Sequence, residues 1–342
     1  MGVYHLMGLG VSVGAVTSPL SYLADRFARD DASDQAFFGG SGERSQGPEH
    51  KRGDVQGLVF FTTQEIINRK VAAQEYVLNE RGSIRGQTRA STHNVRHELC
   101  DRLLPPILLD LTSVSRDPEQ VEVRRSIELY WCQIDLNDPV LTFERVARVI
   151  DALKGVGSLG KEIWINLTSG SNIINTALNL AVSLRTESAR MYYVLSPKII
   201  CAHHTVPKQV IGTDKDQFWV ELPIIYADFN PGHDAVIEEL ATVPGGALSL
   251  GDLRSRISAT LAGQGRTIID DAAFLREYIK PLLAQQLIRY RGEQLEIGLG
   301  RQLLERYYAA ARRSGSGVRP LADLAKDDTV DWLCRDDLVL RV

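Results

Sequence analysis

The sequence predicts an α/β protein: a mostly parallel sheet covered by helices on both faces, followed by a smaller domain of three helices and a hairpin. Three observations predict it. Short apolar runs alternate with stretches of helical apolar spacing over residues 1–228, the pattern that βαβ units produce. Several of those runs end in small polar residues where the helical spacing begins, as strand-to-helix turns do. After Asn230-Pro231-Gly232 the texture changes to helical segments and one pair of short strands.

Val3–Gly10 is apolar and ends in glycines, and reads as a buried first strand. Ala15–Phe27 follows with Val16, Leu20, Leu23 and Phe27 on one side of a helix. Residues 29–56 are rich in Asp, Ser, Gly and Arg, and read as a mobile surface insertion. Leu58–Thr62 is a second strand, and Gln64–Asn79 is expected to be a helix. Residues 80–102 carry five arginines and two histidines. Ile127–Ile134, Glu162–Leu167, Met191–Leu195 and Phe218–Ile225 read as strands. Leu141–Leu153 and Ile173–Leu184 read as the helices between them. Beyond residue 231, His233–Thr242, Leu248–Ile257 and Asp271–Leu287 read as three helices, and Leu287–Ile297 as a hairpin around Arg291-Gly292. Three helices followed by a two-stranded wing form the winged helix-turn-helix pattern. The expected domains are therefore 1–228 and 232–313, with 314–342 a C-terminal tail that begins flexibly and has no assigned place.

The totals bound the function. A length of 342 residues suggests about two domains. A formal net charge of −4 gives no overall basic field to attract nucleic acid. Cys100, Cys132, Cys201 and Cys334 are far apart and form no C-x-x-C pair, which argues against a zinc site or a disulfide framework and fits a reducing cytoplasm. His93 and His97 are spaced i,i+4 but lack a further ligand at zincin spacing, so no metal is expected. No run approaches the ~18 apolar residues of a membrane helix, and no membrane partner is expected. The first residues lack a basic stretch and a cleavage site, and read as a strand rather than a signal peptide. Trp131, Trp164 and Trp219 lie in strand patterns and are expected in the core. The paired Tyr192-Tyr193 sends one ring to each face.

Chemistry concentrates in two strand-to-helix turns. One is Gly8-Leu9-Gly10-Val11-Ser12-Val13-Gly14, with Thr17 a turn later. The other is Asn166-Leu167-Thr168-Ser169-Gly170-Ser171-Asn172. In a parallel sheet such turns lie at the carboxyl ends of strands, where ligands bind. Glycines let backbone approach a ligand, helix starts present N–H groups to anions, and short hydroxyls add donors. Two such turns suggest a phosphate-bearing ligand lying across the sheet. Dinucleotide binding is disfavoured, because the third glycine of the first turn is one residue late and strand two ends in Thr62-Thr63-Gln64 without a carboxylate. No Gly-Lys-Ser/Thr element exists for a P-loop, and residues 168–172 do not match the G-x-S-x-G of hydrolases.

Taken together, Gly8–Gly14 after strand one, Thr62-Thr63-Gln64 after strand two, and Asn166–Asn172 before a helix of small residues resemble a CARF domain. This is the Rossmann-like sensor domain of type III CRISPR-associated proteins. The resemblance covers roughly residues 1–225, and the C-terminal winged helix is similar to the second domain of many members. It implies a homodimer whose two sheets face a shared cleft that binds a cyclic oligoadenylate, with cyclic tetra-adenylate the expected ring. It implies ligand contacts from Gly8, Leu9, Gly10, Ser12, Gly14, Thr17, Thr63, Gln64, Asn166, Thr168, Ser169, Gly170, Ser171 and Asn172, and no further cofactor. The family motif typically runs N-x-T-G-G-T-K. This chain has Ser169 in place of its first glycine and Asn172 in place of its lysine, which weakens any expectation that the chain cuts the ring. Arg85, Arg89 and Lys198 are the available substitute charges.

The output is expected to be regulatory. No histidine follows His233, so the R-x(4–6)-H pair of HEPN ribonucleases is absent from the C-terminal part, and no D…E-x-K nuclease signature is evident. The expectation is an antiviral-defence sensor acting through the winged helix, either on double-stranded DNA or by recruiting a partner. The alternative is a metal-independent ring nuclease that destroys the signal. Residues 232–313 hold 11 basic and 10 acidic residues, a balance that favours a scaffold over DNA binding.

Overall fold

The computed structural model describes residues 3–29, 38, 55–78, 84–111, 124–154, 162–185, 190–194, 219–223, 231–262, 270–284, 287–298 and 319–341. The chain forms two compact units, Met1–Tyr226 with Ser314–Val342, and Ala227–Arg313.

In the first unit the elements run β1 (Val3–Gly8), α1 (Gly14–Arg29), β2 (Val55–Thr62), α2 (Gln64–Ile67), β3 (Ala72–Leu78), β4 (Ile84–Asn94), α3 (95–110), β5 (Arg124–Gln133), α4 (Pro139–Lys154), β6 (Glu162–Asn166), α5 (Asn172–Arg185), β7 (Arg190–Val194) and β8 (Trp219–Leu222). In the second unit they run α6 (Pro231–Thr242), β9 (Ala247–Ser249), α7 (Leu250–Ala262), α8 (271–284), β10 (Ile288–Arg291) and β11 (Gln294–Ile297). The chain then returns to the first unit as α9 (Leu321–Leu324) and β12 (Leu333–Arg341).

Seven strands make the main sheet, in the order β12-β5-β2-β1-β6-β7-β8. The five from β5 to β7 are parallel, while β12 and β8 are antiparallel edges. Numbered along the chain, the parallel strands lie in the order 3-2-1-4-5, the doubly-wound arrangement. The order reverses between β1 and β6, the switch point at whose carboxyl edge such sheets bind ligands.

Alternation along the strands builds two apolar faces. Val3, Met7, Leu58, Phe60, Ile127, Leu129, Trp131 and Trp164 pack with Val16, Leu20 and Leu23 of α1 and Leu99, Leu104 and Leu108 of α3. Leu6, Val59, Phe61, Ile163 and Ile165 alternate to the opposite face and are also buried. Trp131 and Trp164 are core residues, Tyr192 is buried and Tyr193 is exposed. Trp219 is half-buried and stacks on Tyr192 at 4.2 Å between ring centroids.

Several sequence expectations are corrected. The helix expected over 64–79 stops at Ile67, because Arg69 takes a left-handed conformation with φ 60°. Residues from Ala72 then pair as a two-stranded hairpin, β3 with β4. The helix α3 was not legible, and it contains a π-helical segment at Glu98–Leu103. Pro105 and Pro106 follow, and they lack the N–H groups that would bond back to residues 101 and 102. The C-terminal stretch is not a loose tail. β12 pairs along nine residues of β5, from Leu333 opposite Cys132 to Arg341 opposite Arg124. Most of the expected insertion at 29–56, and Cys201, lie outside the described residues. Within that insertion Phe38 is buried against Phe27 and Trp164.

The second unit has its own core. Val236, Leu240, Leu253, Ile257, Phe274, Ile279 and Leu282 pack under Leu248, Ile288 and Leu295. Its small antiparallel sheet has the order β10-β11-β9. Leu248 and Ser249, expected in a helix, form the third strand instead.

Candidate functional site

The carboxyl edge between β1 and β6 is formed by the two glycine-bearing turns, Gly8–Gly14 and Asn166–Asn172. After β1, the Leu9 N–H donates to the Phe61 carbonyl at 2.9 Å, and the Leu9 carbonyl accepts from the Thr62 hydroxyl at 2.8 Å. The Val11 carbonyl accepts from the Gln74 N–H at 2.8 Å, and Ser12 bridges Gln74. The first turn is thus held by β2 on one side and by the base of the β3–β4 hairpin on the other. Gly10 is exposed, and a side chain added there would meet nothing within 4 Å.

After β6, the Thr168 N–H donates to Asn166 Oδ1 at 2.8 Å, and the Thr168 hydroxyl oxygen accepts from the Val194 N–H at 2.8 Å. A hydroxyl that accepts one bond still has its proton to donate. Ser171 caps α5: its hydroxyl accepts from the Ile174 N–H at 3.4 Å and its carbonyl from the Asn175 N–H at 3.0 Å. The Asn175 amide reaches back to donate to the Leu167 carbonyl at 3.1 Å. Between these anchors Gly170 adopts φ +97°, a conformation that favours glycine.

The two turns meet through their glycines. A Cβ on Gly8 would lie 2.5 Å from the Gly170 Cα and 3.1 Å from the Ser169 carbonyl oxygen. A Cβ on Gly170 would lie 2.8 Å from the Gly8 Cα. Neither approach leaves room for a side chain, so both positions are set by backbone contact.

Charge separates these two turns from their neighbours along the edge. The first turns of α1 and α5 contain no acidic residue. In contrast, α2 carries Glu65 in its first turn. The Glu65 carboxylate accepts from its own N–H and the Thr63 hydroxyl, and these bonds hold it below the usual carboxylate range. The start of α4 is occupied by Asp138, whose carboxylate accepts from the N–H groups of Val140 and Leu141 at 3.0 and 2.9 Å. Asp135 stands three residues before it and accepts from the Asn137 N–H. Helix starts attract anions. Among the described helix starts at this edge, the two without their own carboxylates are those on either side of the switch point.

The sequence-predicted residues fall into three groups, apart from Asn166, which is buried at the end of β6 and accepts from the Thr168 N–H. Gly8, Ser169 and Gly170 form the contact between the turns, with Gly10, Ser12, Thr168, Ser171 and Asn172 around it on the same two segments. Thr63 and Gln64 lie on the same edge at the end of β2, where Thr63 is the residue before α2 and the Gln64 amide donates to Asn68 Oδ1 at 3.0 Å. Leu9, Gly14 and Thr17 are buried. Thr17 spends its hydroxyl on the Val13 carbonyl within α1, at 3.3 Å, and Leu9 commits its main chain to β2.

Three polar groups around the second turn are enclosed without a hydrogen-bond partner: Asn166 Nδ2, Ser169 Oγ and Asn175 Oδ1. Each such group costs about 1–3 kcal/mol, and folded proteins carry few of them. Asn175 was missed at the sequence level because it lies inside the helical spacing of α5, where an asparagine reads as a solvated position. The acid-capped β5–α4 turn was missed for a different reason: its significance is comparative and needs the strand order.

His5, in β1, is fully enclosed. Burial, aided by the Arg190 charge, pushes its pKa down to about 3, and its Nδ1 pairs with the Tyr192 hydroxyl at 3.1 Å. Among the described residues no group of three or more His, Cys, Asp or Glu could hold a metal ion. No described helix is long and apolar enough to cross a membrane.

No family model matches the chain. A protein of Archaeoglobus fulgidus is 23% identical over 265 residues, which cover 72% of this chain and 74% of that protein. Solved structures that resemble it include a Vibrio cholerae protein, 10% identical, covering 99% of this chain and 77% of the other, with a TM-score of 0.29. Enterococcus italicus Csm6 bound to cyclic hexa-2′-fluoro-hexa-dAMP is 13% identical, covers 92% and 78%, and has a TM-score of 0.37. Sulfobacillus thermosulfidooxidans Can2 in complex with cyclic tetra-adenylate is 10% identical, covers 99% and 76%, and has a TM-score of 0.27. These similarities are too distant to assign the chain to a family.

Proposed function

We propose that the chain is a cyclic oligoadenylate sensor of type III CRISPR antiviral defence, acting in the cytoplasm as a homodimer that shares one ring between two crevices. One observation carries the reading. Two turns that lead into helices without acidic residues in their first turns meet at the switch point of a doubly-wound sheet, and polar groups without hydrogen-bond partners are enclosed at the second of them. A phosphodiester supplies the acceptors that helix N–H groups and hydroxyls require. The identity of the ligand comes from the resemblance of Gly8–Gly14 and Asn166–Asn172 to the CARF motifs. Two copies of one turn suit a ring of repeating phosphates, because a two-fold assembly presents the same surface twice.

The output is partner recruitment through the 227–313 unit, whose order of helices and strands supports a winged helix. Arg254 pairs with Asp271, Arg256 with Glu239, Arg276 with Glu277, and Arg289 and Arg291 with Glu296. Exposed pairs of this kind are weak, but a DNA phosphate approaching any of these arginines also meets its carboxylate.

The test is to incubate the protein with cyclic tri-, tetra- and hexa-adenylate, separate bound from free ligand, and chromatograph what is recovered. One ring retained intact supports the sensor. A linear product accumulating with time makes the chain a ring nuclease. No retention of any ring overturns the reading.

A further inference from the structure

The two edges of the main sheet are built differently. β8 has four residues, whereas β12 runs nine, Leu333–Arg341, and pairs with β5 without a bulge. Long edges invite further pairing, and folded proteins blunt them with shortness, proline or bulges. β12 has none of these devices. The Gln133 N–H donates to the Trp332 carbonyl at 2.7 Å, one step before Leu333 faces Cys132. Hydrogen-bonded pairs alternate along an antiparallel ladder, so Trp332, Cys334, Asp336, Leu338 and Leu340 turn their main-chain groups to β5. The N–H and carbonyl groups of Leu333, Arg335, Asp337 and Val339 point away from it, and no strand among the described residues pairs with them.

Charges in the middle of an edge strand ordinarily discourage a further strand. Here they are self-complementary. Leu333, Arg335, Asp337 and Val339 share one face of the sheet. A second copy laid antiparallel, with Asp336 on the two-fold axis, sets Leu333 opposite Val339, itself 50% exposed, and sets Arg335 opposite Asp337 twice. Moving the axis by one residue sets Arg335 or Asp337 against its own copy. Moving it by two sets Asp337 against Asp331, or Arg335 against Arg341. Like charges directly opposite are unfavourable, so the pattern selects one register. Asp336 meets its own copy on the other face, but its carboxylate is already held by the Arg96 guanidinium and the Trp131 indole N–H. We propose that β12 is an interface for a second copy of this chain, which continues the sheet across a two-fold axis at Asp336. Arg335 already donates to Asp337 of its own chain at 2.8 Å, so the axis gathers two arginines and two aspartates in alternation. This contact is separate from the ring-sharing one. β1 and β6 lie three and four strands in from β12, and antiparallel pairing turns the carboxyl edges of the two sheets to opposite ends. It joins one ring-sharing pair to the next and does not depend on the ring.

The experiment is sedimentation velocity of the native full chain, without any ring, over a wide range of concentration. It is run beside Asp337→Arg, Arg335→Glu and an equimolar mixture of the two, with thermal melting to follow folding. The native chain is expected to associate. Each variant alone opposes like charges twice and is expected to associate at least about tenfold more weakly. In the mixture each new charge meets its opposite, and association is expected to return to within about threefold of native. Arg335→Glu also loses a pair with Glu128 at 3.1 Å. Should that variant fail to fold, hydrogen exchange in the native chain gives a second reading: the outward N–H groups of Arg335 and Asp337 are expected to exchange more slowly as concentration rises. A native chain that stays single at every concentration overturns the inference. So does association equally strong in Asp337→Arg, a mixture no stronger than its components, or exchange at Arg335 and Asp337 that ignores concentration.

Discussion

Gly8 and Gly170 meet Cα to Cα across the point where the strand order reverses, so the turn after β1 and the turn after β6 form one continuous backbone surface. A Cβ at either position would come within 2.8 Å of the other glycine's Cα. Gly8→Ala and Gly170→Ala are therefore expected to part the turns. Gly170→Ala also forces an L-residue to φ +97°, a strain of roughly 1–3 kcal/mol. Denaturant unfolding should show that loss. Ring binding should fall by more than the loss of folded protein accounts for.

Asp336 ties the C-terminal strand to the body of the first unit. Its carboxylate accepts from the Arg96 guanidinium and from the Trp131 indole N–H at 3.0 Å, and Arg96 lies 4.7 Å over the Trp131 ring. Removing residues 314–342 strips β12 from β5 and leaves Trp131 without its partner. The truncated chain is expected to aggregate or unfold. Asp336→Ala, which leaves the Trp131 N–H without its acceptor and Arg96 with only its bond to the Ile67 carbonyl at 2.9 Å, should cost about 1–3 kcal/mol by urea titration.

His5 makes stability pH-dependent. Its folded pKa is lowered from the ordinary 6.5 to about 3. Above about pH 6.5 both folded and unfolded chains carry it neutral, and it contributes no slope. Below that, the unfolded chain binds a proton that the folded chain refuses. Stability then falls as pH drops from 6.5 toward 3, by up to about 1.4 kcal/mol per pH unit. His5→Asn should flatten this part of the profile, measured as urea midpoints between pH 7 and pH 4.

Asp138 separates folding from ligand binding. Its carboxylate caps α4 at the turn that lies away from the crevice. Asp138→Ala should cost about 1 kcal/mol of stability, read by thermal melting. Affinity for cyclic tetra-adenylate should be unchanged.

The second unit should not retain duplex DNA. Fluorescence anisotropy at physiological salt is expected to show no binding of a mixed-sequence duplex tighter than about 10⁻⁵ M, within or weaker than the non-specific range. Addition of the cyclic ring should not change this. Tight binding that appears with the ring would reverse the assignment of the output.

The parallel sheet was legible because βαβ alternation is written in periodicity, and both glycine turns were legible as turns because small residues cluster where a strand run gives way to helical spacing. β12 was not legible. Its sequence, with Arg335, Asp336 and Asp337 in the middle, looks like a polar tail until Trp131 and Arg96 supply partners for Asp336. The β3–β4 hairpin was hidden because residues 64–78 look helical unless Arg69 is known to break the run. Thr17, a candidate from its place after the first turn, is buried, and its hydroxyl donates to the Val13 carbonyl of its own helix at 3.3 Å.

The most direct measurement of the central claim is calorimetric titration of cyclic tetra-adenylate into the native chain and into Gly170→Val. The account predicts saturable binding at one ring per two native chains, weakened at least roughly tenfold, or about 1.4 kcal/mol, in a variant that remains folded. No heat with the native chain, or equal affinity in the two proteins, would contradict the placement of the ligand at the meeting of the two turns.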